Sequence, residues 1–257
     1  MDIQKRFEEI RAQYSLSLEH FTALISGLWG VGKTRLLATG RLPVLIDSFD
    51  PKGPIVLRQA IKEGKVLVRD WSGDTSKTPN KYKAWEDQWE KDLQDNFLSN
   101  FGTYSIDSWT TFQSAVTNYI SSRNKRPQGS LAQGDYLGMY ATLRDIIGRT
   151  SLQGVDFILT AHLEPTKDEL IGDIQYQINA YKQLMVELPL LFSERYVMVK
   201  EETAKDHKYY LLTNNQGRYR ASSRLNSEGV FKTIEEPDIK KLLEKAGFDT
   251  KDKPLFL

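Results

Sequence analysis

Residues 27–34 read Gly-Leu-Trp-Gly-Val-Gly-Lys-Thr, and no other stretch of the 257-residue chain restricts its fold so narrowly. Glycine at 27 and 32 frees the backbone to take positive φ and to approach a ligand without an obstructing Cβ. Successive N–H groups in such a loop converge on an anion, and the lysine at its end adds a point charge. The hydroxyl that follows can ligate a hard cation. The apolar run Phe21–Ser26 ahead of the loop reads as a strand, and Lys33 to about Thr39 as a helix that Gly40 ends. Strand, glycine loop and helix in this order predict a phosphate-binding P-loop with the helix dipole behind it.

The rest of the chain keeps the same rhythm. Leu42–Ile46, Val66–Arg69, Gly102–Asp107, Val155–Ala161 and Arg195–Lys200 are short and largely apolar, as strands of a parallel sheet covered on both faces are. Between them, Ala84–Leu98, Phe112–Ser122 and Tyr136–Thr150 have helical spacing, with Trp85 and Trp89 on the buried stripe of the first. Asp70–Tyr82, Arg123–Asp135 and Leu163–Ala180 read as polar loops. Tyr209–Thr213 and Arg218–Ala221 flank the turn 214–217 as a hairpin, and Pro237–Ala246 closes the chain with a helix. Alternating strands and helices predict an α/β fold with a doubly wound, mostly parallel sheet. Residues 1–20 read as an amphipathic helix, 21–225 as the core and 226–257 as a helical extension.

Composition removes several classes of function. The chain has no cysteine, which excludes disulfides, thiolate metal sites and cysteine nucleophiles. Its net charge is +1, so no global basic excess advertises nucleic acid. The charged start lacks the apolar core of a signal peptide, and no apolar run is long enough to span a bilayer. A cytoplasmic protein without membrane contact is expected.

The loop predicts an ATP site lined by Gly27, Leu28, Trp29, Gly30, Val31, Gly32, Lys33, Thr34 and Arg35, with Lys33 on the β- and γ-phosphates. Mg²⁺ is expected between Thr34 and Asp107, the acid that ends the strand Tyr104-Ser105-Ile106-Asp107. Ser108 follows it where other NTPases carry a catalytic glutamate. The water-orienting carboxylate is therefore sought at Asp47 or Asp50, after the second strand, with Asp50 preferred. His162, at the end of Val155–Ala161, is placed to sense the γ-phosphate. Arg220, beside Arg218 and Arg224, is a candidate arginine finger across a subunit interface. Arg123, Lys125, Arg126 and Lys167 sit on loops that could track a nucleic-acid backbone, where Tyr176 and Tyr181 could stack on bases.

Taken together, Ser26–Thr34, Pro43–Asp47, Ser105–Ser108 and Leu159–His162 resemble the phage-encoded AAA-type ATP-binding proteins with a RecA-like core, a group that includes single-strand annealing recombinases. The resemblance spans roughly residues 20–225. It implies ATP and Mg²⁺ at Gly27–Thr34 and Asp107, a sensor role for His162, and DNA-facing loops near 123–135 and 163–183. It further implies an ATP hydrolase that binds single-stranded DNA in recombination or replication, as a homo-oligomer in the host cytoplasm beside other phage replication or recombination proteins. Two alternatives stay open: an accessory ATPase acting through protein contacts, such as a helicase loader or packaging factor, and a nucleotide-binding scaffold without hydrolysis.

Overall fold

The structure, a computed structural model, describes residues 3–75, 77–127, 129–167, 172–202 and 206–256. Side chains at 12–18 and 182 lie outside the described set. The strands are β1 (Thr22–Gly27), β2 (Val44–Ser48), β3 (Val66–Asp70), β4 (Thr103–Asp107) and β5 (Asp156–Lys167). After them come β6 (Ile174–Ile178), β7 (Glu194–Glu202), β8 (His207–Leu212), β9 (Ser222–Ser223) and β10 (Ile234–Glu235). The helices are α1 (Ile3–Glu19), α2 (Lys33–Leu37), α3 (Arg58–Lys62), α4 (Lys81–Gln94), α5 (Trp109–Arg123), α6 (Gln133–Thr150), α7 (Lys182–Glu187) and α8 (Ile239–Lys245).

The strands join in the order β10-β8-β7-β1-β5-β4-β2-β3, with β6 paired to β5 and β9 to β7. Pairing is parallel from β7 through β1, β5, β4 and β2 to β3, and antiparallel where β8, β9, β10 and β6 are added. One strand, β5, separates the glycine-loop strand β1 from β4, which ends in Asp107. That order makes the chain a RecA-like α/β fold.

Alternation along each central strand divides the core into two layers. Leu24, Leu45, Tyr104, Ile106, Phe157 and Leu159 face α4, α5 and α6. Ala23, Ile25, Val44, Ile46 and Ile158 face α2 and α8. Because the helices cover both faces, the strands carry the continuous apolar runs seen in the sequence. Trp85 and Trp89 are buried in the first layer, stacked with ring centroids 5.6 Å apart. The segment after 226 belongs to the same body: β10 edges the sheet, and Ile239, Leu242 and Leu243 of α8 enter the second layer.

Three expectations change. Residues 163–180 do not form a polar loop throughout, since β5 continues to Lys167 and turns back as β6, with Leu163 opposite Ile178 and Lys167 opposite Ile174. The polar composition reflects a two-stranded ribbon that leaves the main sheet and has little to bury. The C-terminal hairpin is built from β7 and β8, whereas 216–219 close a tight turn through mutual Gln216–Tyr219 backbone bonds. Asp47 is a framework residue. It is wholly buried, and five N–H or O–H groups donate to it: Arg69 Nε and Trp71 Nε1 to Oδ1, and Arg69 Nη2, Trp85 Nε1 and Tyr104 Oη to Oδ2, at 2.6–2.9 Å. No lone pair is left to orient a water.

Among the described residues no helix is long and apolar enough to cross a membrane. α1 leaves Ile3, Phe7 and Ile10 exposed.

Removing Asp47 leaves the half-buried Arg69 guanidinium with Asp92 alone and takes the acceptor from two indole N–H groups and the Tyr104 hydroxyl. Asp47→Ala is expected to lower the unfolding free energy by about 3–5 kcal/mol, the cost of breaking a buried ion pair from one side. Urea unfolding followed by tryptophan fluorescence measures it; a midpoint unchanged from wild type would remove Asp47 from the framework.

Candidate nucleotide site

The glycine loop joins β1 to α2 along a path that only glycine fits. A Cβ on Gly27 would lie 2.7 Å from the Met198 carbonyl oxygen on β7 and 2.7 Å from Val31 Cγ2. Gly32 has φ 94° and caps α2, and Gly30 has φ 74°, both in the left-handed region. α2 is only five residues long, so the loop's own N–H groups, more than an extended helix dipole, define the anion-facing cradle.

Lys33 is 5% exposed, and its ammonium donates to the carbonyl oxygens of Gly27 and Leu28, each at 2.9 Å. Burial pushes its pKa down to about 8, against the pull of Asp107 and Asp50. The loop thus encloses its own lysine, which must exchange two carbonyl acceptors for a ligand's oxygens. Leu28 is half-buried, Val31 buried, Trp29 88% exposed and Arg35 exposed, so Trp29 projects from the loop's tip.

Across the loop, Thr34 Oγ1 donates to Asp107 Oδ2 at 2.8 Å. Asp107 is 1% exposed, and its other oxygen accepts the hydroxyl of Thr160 on β5. Burial raises its pKa, against the hydrogen bonds from Thr160 and Thr34. A buried carboxylate served only by hydroxyls, beside a threonine that can turn its oxygen outward, offers the hard oxygen donors that suit Mg²⁺. Among the described residues no cluster of three or more His, Cys, Asp or Glu could hold a metal alone. Mg²⁺ is commonly held by one or two carboxylates with phosphate oxygens and water completing its shell.

Asp50 lies on the loop after β2. Its Oδ1 accepts from Thr111 Oγ1 at 2.6 Å and Ser108 Oγ at 3.0 Å, and its Oδ2 lies 3.4 Å from His162 Nε2. Burial would raise its pKa, but the contacts from His162, Thr111 and Ser108 outweigh it and hold the carboxyl below its ordinary value. Asp50 is therefore an ionised acceptor with one oxygen fixed by hydroxyls and the other turned toward His162.

His162 is half-buried and stands opposite Gly27 in the β1–β5 ladder. Its Nδ1 is 3.3 Å from Lys33 Nζ, so one imidazole bridges the lysine and Asp50. Its backbone N–H donates to Thr110 Oγ1 at 3.3 Å, and its carbonyl accepts from Asn179 N–H at 2.9 Å. Lys33, Thr34, Asp107, Asp50 and His162 thus come from four strand ends to one place.

Other candidates lie apart from this group. Arg220 is exposed, just after the 216–219 turn. Arg123 and Lys125 are exposed at and after the end of α5, while Arg126 forms an ion pair with Asp135. Lys167 is exposed at the end of β5, and residues 168–171 lie outside the described set. Tyr181 is not presented for stacking: its hydroxyl is 3.0 Å from Thr117 Oγ1, and its ring meets Tyr136 edge to face. Three site residues were not singled out from the sequence, namely Thr160, Thr110 and Thr111. Thr160 interrupts the apolar strand Phe157–Ala161, and that break in pattern was its one signal.

No known protein family matches the chain, and no curated protein matches it. Among solved structures it is similar to a KaiC-like protein from the hyperthermophilic archaeon Pyrococcus horikoshii, at 18% identity and a TM-score of 0.39 over 80% of this chain and 83% of that one. A likeness so remote bears no functional weight, and the RecA-like fold rests on the strand order itself.

Proposed function

We propose that the chain is a P-loop ATPase that binds ATP with Mg²⁺ at Gly27–Thr34 and Asp107 and hydrolyses it with Asp50. The observation that carries this reading is the convergence of three groups: an enclosed Lys33, the Thr34–Asp107 pair 2.8 Å apart, and an ionised Asp50 beside His162. The loop's N–H groups and Lys33 would hold the β- and γ-phosphates. Thr34 and Asp107 would hold Mg²⁺, which neutralises charge on the phosphate oxygens when bound. Asp50 Oδ2 would accept a hydrogen bond from the attacking water and take its proton, which then passes to the released phosphate. The water oxygen forms a bond to the γ-phosphorus, the bond to the β–γ bridging oxygen breaks, and ADP and phosphate leave. His162 touches both Lys33 and Asp50, so a γ-phosphate that draws Lys33 away alters its contacts. Arg220 would act, if from anywhere, from a neighbouring copy in a homo-oligomer.

Single-stranded DNA is the proposed partner, in phage recombination or replication. Supporting it are the β5–β6 ribbon that starts at His162 and the exposed Lys167, Arg123 and Lys125. Arg126, paired with Asp135, contributes less. A DNA-dependent ATPase should turn over faster with single strands; equal turnover with and without them would favour the accessory reading, and none at all the scaffold.

Lys33→Ala should weaken binding of a fluorescent ATP analogue by more than about a hundredfold, consistent with loss of charge-assisted contacts inside a buried loop. Asp50→Asn should keep that affinity while lowering kcat by roughly 10²–10⁴, the usual contribution of a general base. An Lys33→Ala protein that binds ATP as well as wild type would overturn the assignment.

The Lys33 pKa of about 8 gives binding a pH dependence with a definite sign. Phosphate favours the charged amine and raises its pKa in the complex. Below about pH 8 the amine is charged in both states, so affinity is flat. Above it, binding takes up a proton and affinity falls, by up to about tenfold per pH unit. Calorimetry in buffers of different ionisation enthalpy reads the proton uptake directly, and uptake should vanish in Lys33→Ala.

A further inference from the structure

On the sheet face away from α2, a cleft of about 400 Å³ opens between the β7–β8 hairpin, β6 and the 216–219 turn. Its volume is within the range of small-ligand sites. Buried Val199 and Leu212 form its floor. Its walls are three tyrosines from three segments: Tyr176 on β6, Tyr210 on β8 and Tyr219 on the turn. Tyr176 and Tyr219 are stacked, with centroids 4.9 Å apart and planes 13° from parallel, and a bond from Tyr176 N–H to the Arg218 carbonyl at 3.1 Å ties β6 to the turn. Burial, with the Tyr176 and Tyr210 hydroxyls nearby, raises the Tyr219 pKa. Exposed Gln216 and Arg218 stand at the rim, and Gly217, with φ 54°, makes the turn that presents them.

We infer that this cleft is a nucleobase-binding site, in which the base extends the Tyr176–Tyr219 stack, Gln216 meets its polar edge and Arg218 its phosphate. Flat aromatic walls, an apolar floor and a rim with one amide and one guanidinium are complementary to a nucleotide: a planar ring with hydrogen-bonding edges joined to an anion. The inference rests on the nucleotide-dependent, strand-binding reading above and deepens it by placing a base contact on one built feature.

The cleft is also wired to the nucleotide site. Tyr176 stands opposite Pro165 in the β5–β6 ladder, three residues from His162, or roughly 10 Å at ~3.3 Å per residue. Asn179, next after β6, donates to the His162 carbonyl. Both strands of the ribbon are therefore anchored at His162. The base could come from a single strand or from the adenine of a bound nucleotide, and the two sources separate by experiment.

Binding of a fluorescein-labelled oligothymidine, followed by anisotropy, and of a mant-labelled ATP analogue is measured on the full chain and on two variants. Tyr219→Leu keeps apolar bulk and removes the π face; Tyr219→Phe keeps the ring. Unfolding midpoints near wild type establish that each variant is folded. Tyr219→Leu should weaken oligothymidine binding by about fivefold to a hundredfold, the range of one lost base–aromatic stack, and Tyr219→Phe should stay within about twofold of wild type. Loss of oligothymidine affinity with mant-ATP unchanged assigns the cleft to a strand; the reverse assigns it to the nucleotide's own base. Unchanged affinity for both ligands in a folded Tyr219→Leu protein overturns the site while leaving the P-loop assignment intact. A wild-type protein that binds neither ligand overturns both.

Discussion

The parallel ladder between β1 and β5 fixes where every site residue stands. Its register runs from Thr22 opposite Phe157 to Gly27 opposite His162. A slip of one residue would turn Ile158 and Leu159 to the wrong layers, and both layers are filled, so the register is held by packing on two faces at once. With β5 set, Thr160 lies beside the end of β4 and can donate to Asp107, while His162 lies beside the loop and meets Lys33. β2, on the far side of β4, then brings Asp50 within reach of His162 through Phe49, whose N–H donates to the Asp107 carbonyl at 2.7 Å. The chemistry assembles because ordinary aliphatic packing leaves the strands no other alignment.

That alignment leaves the site electrostatically unfinished. Burial lowers the pKa of Lys33 and raises that of Asp107, so each charged form is disfavoured where it stands. Their mutual attraction only partly offsets the loss of water, as expected when neither makes a direct ion pair. Asp50, which is less deeply buried, shows the opposite outcome, because Ser108, Thr111 and His162 supply enough contacts to keep it ionised. A polyanion beside Lys33 and a hard cation beside Asp107 would each relieve one of the two disfavoured charges. Asp50, already satisfied, needs neither, which suits the water-orienting role proposed for it. The division of labour among the acids follows from what donates to each.

The sequence made some of this legible and hid the rest for identifiable reasons. The loop was readable because its requirement is local: Gly27 has no room for a Cβ, and Gly30 and Gly32 take positive φ. Asp107 was readable as the acid ending a strand. Asp50 could be preferred over Asp47 only slightly, because what separates them is supplied from elsewhere. Arg69, Trp71, Trp85 and Tyr104, 22–57 residues away, saturate Asp47, and Ser108 and Thr111, 58 and 61 residues away, hold Asp50. The β5–β6 ribbon was read as a loop since strands with little to bury carry no apolar alternation. The hairpin was shifted because β8 pairs backward with β7, and the turn residues at 214–217 signal a reversal without naming the partner strand.

The same ribbon explains how a small displacement at the site could be felt beyond it. β5 is shared by two structures: it pairs with β4 up to Leu159 and with β1 up to His162, and beyond His162 it pairs only with β6. Up to Leu159 the strand cannot move without breaking two ladders, whereas beyond His162 it is held by one ladder, the Asn179 bond at its root, the bond from Tyr176 N–H to the Arg218 carbonyl and the Tyr176–Tyr219 stack on its flank. Support on β5 therefore falls away in two steps, after Leu159 and after His162, the residue whose ring contacts both Lys33 and Asp50. A change in either contact would act at the end of the β1 ladder, where the β5–β6 ribbon begins.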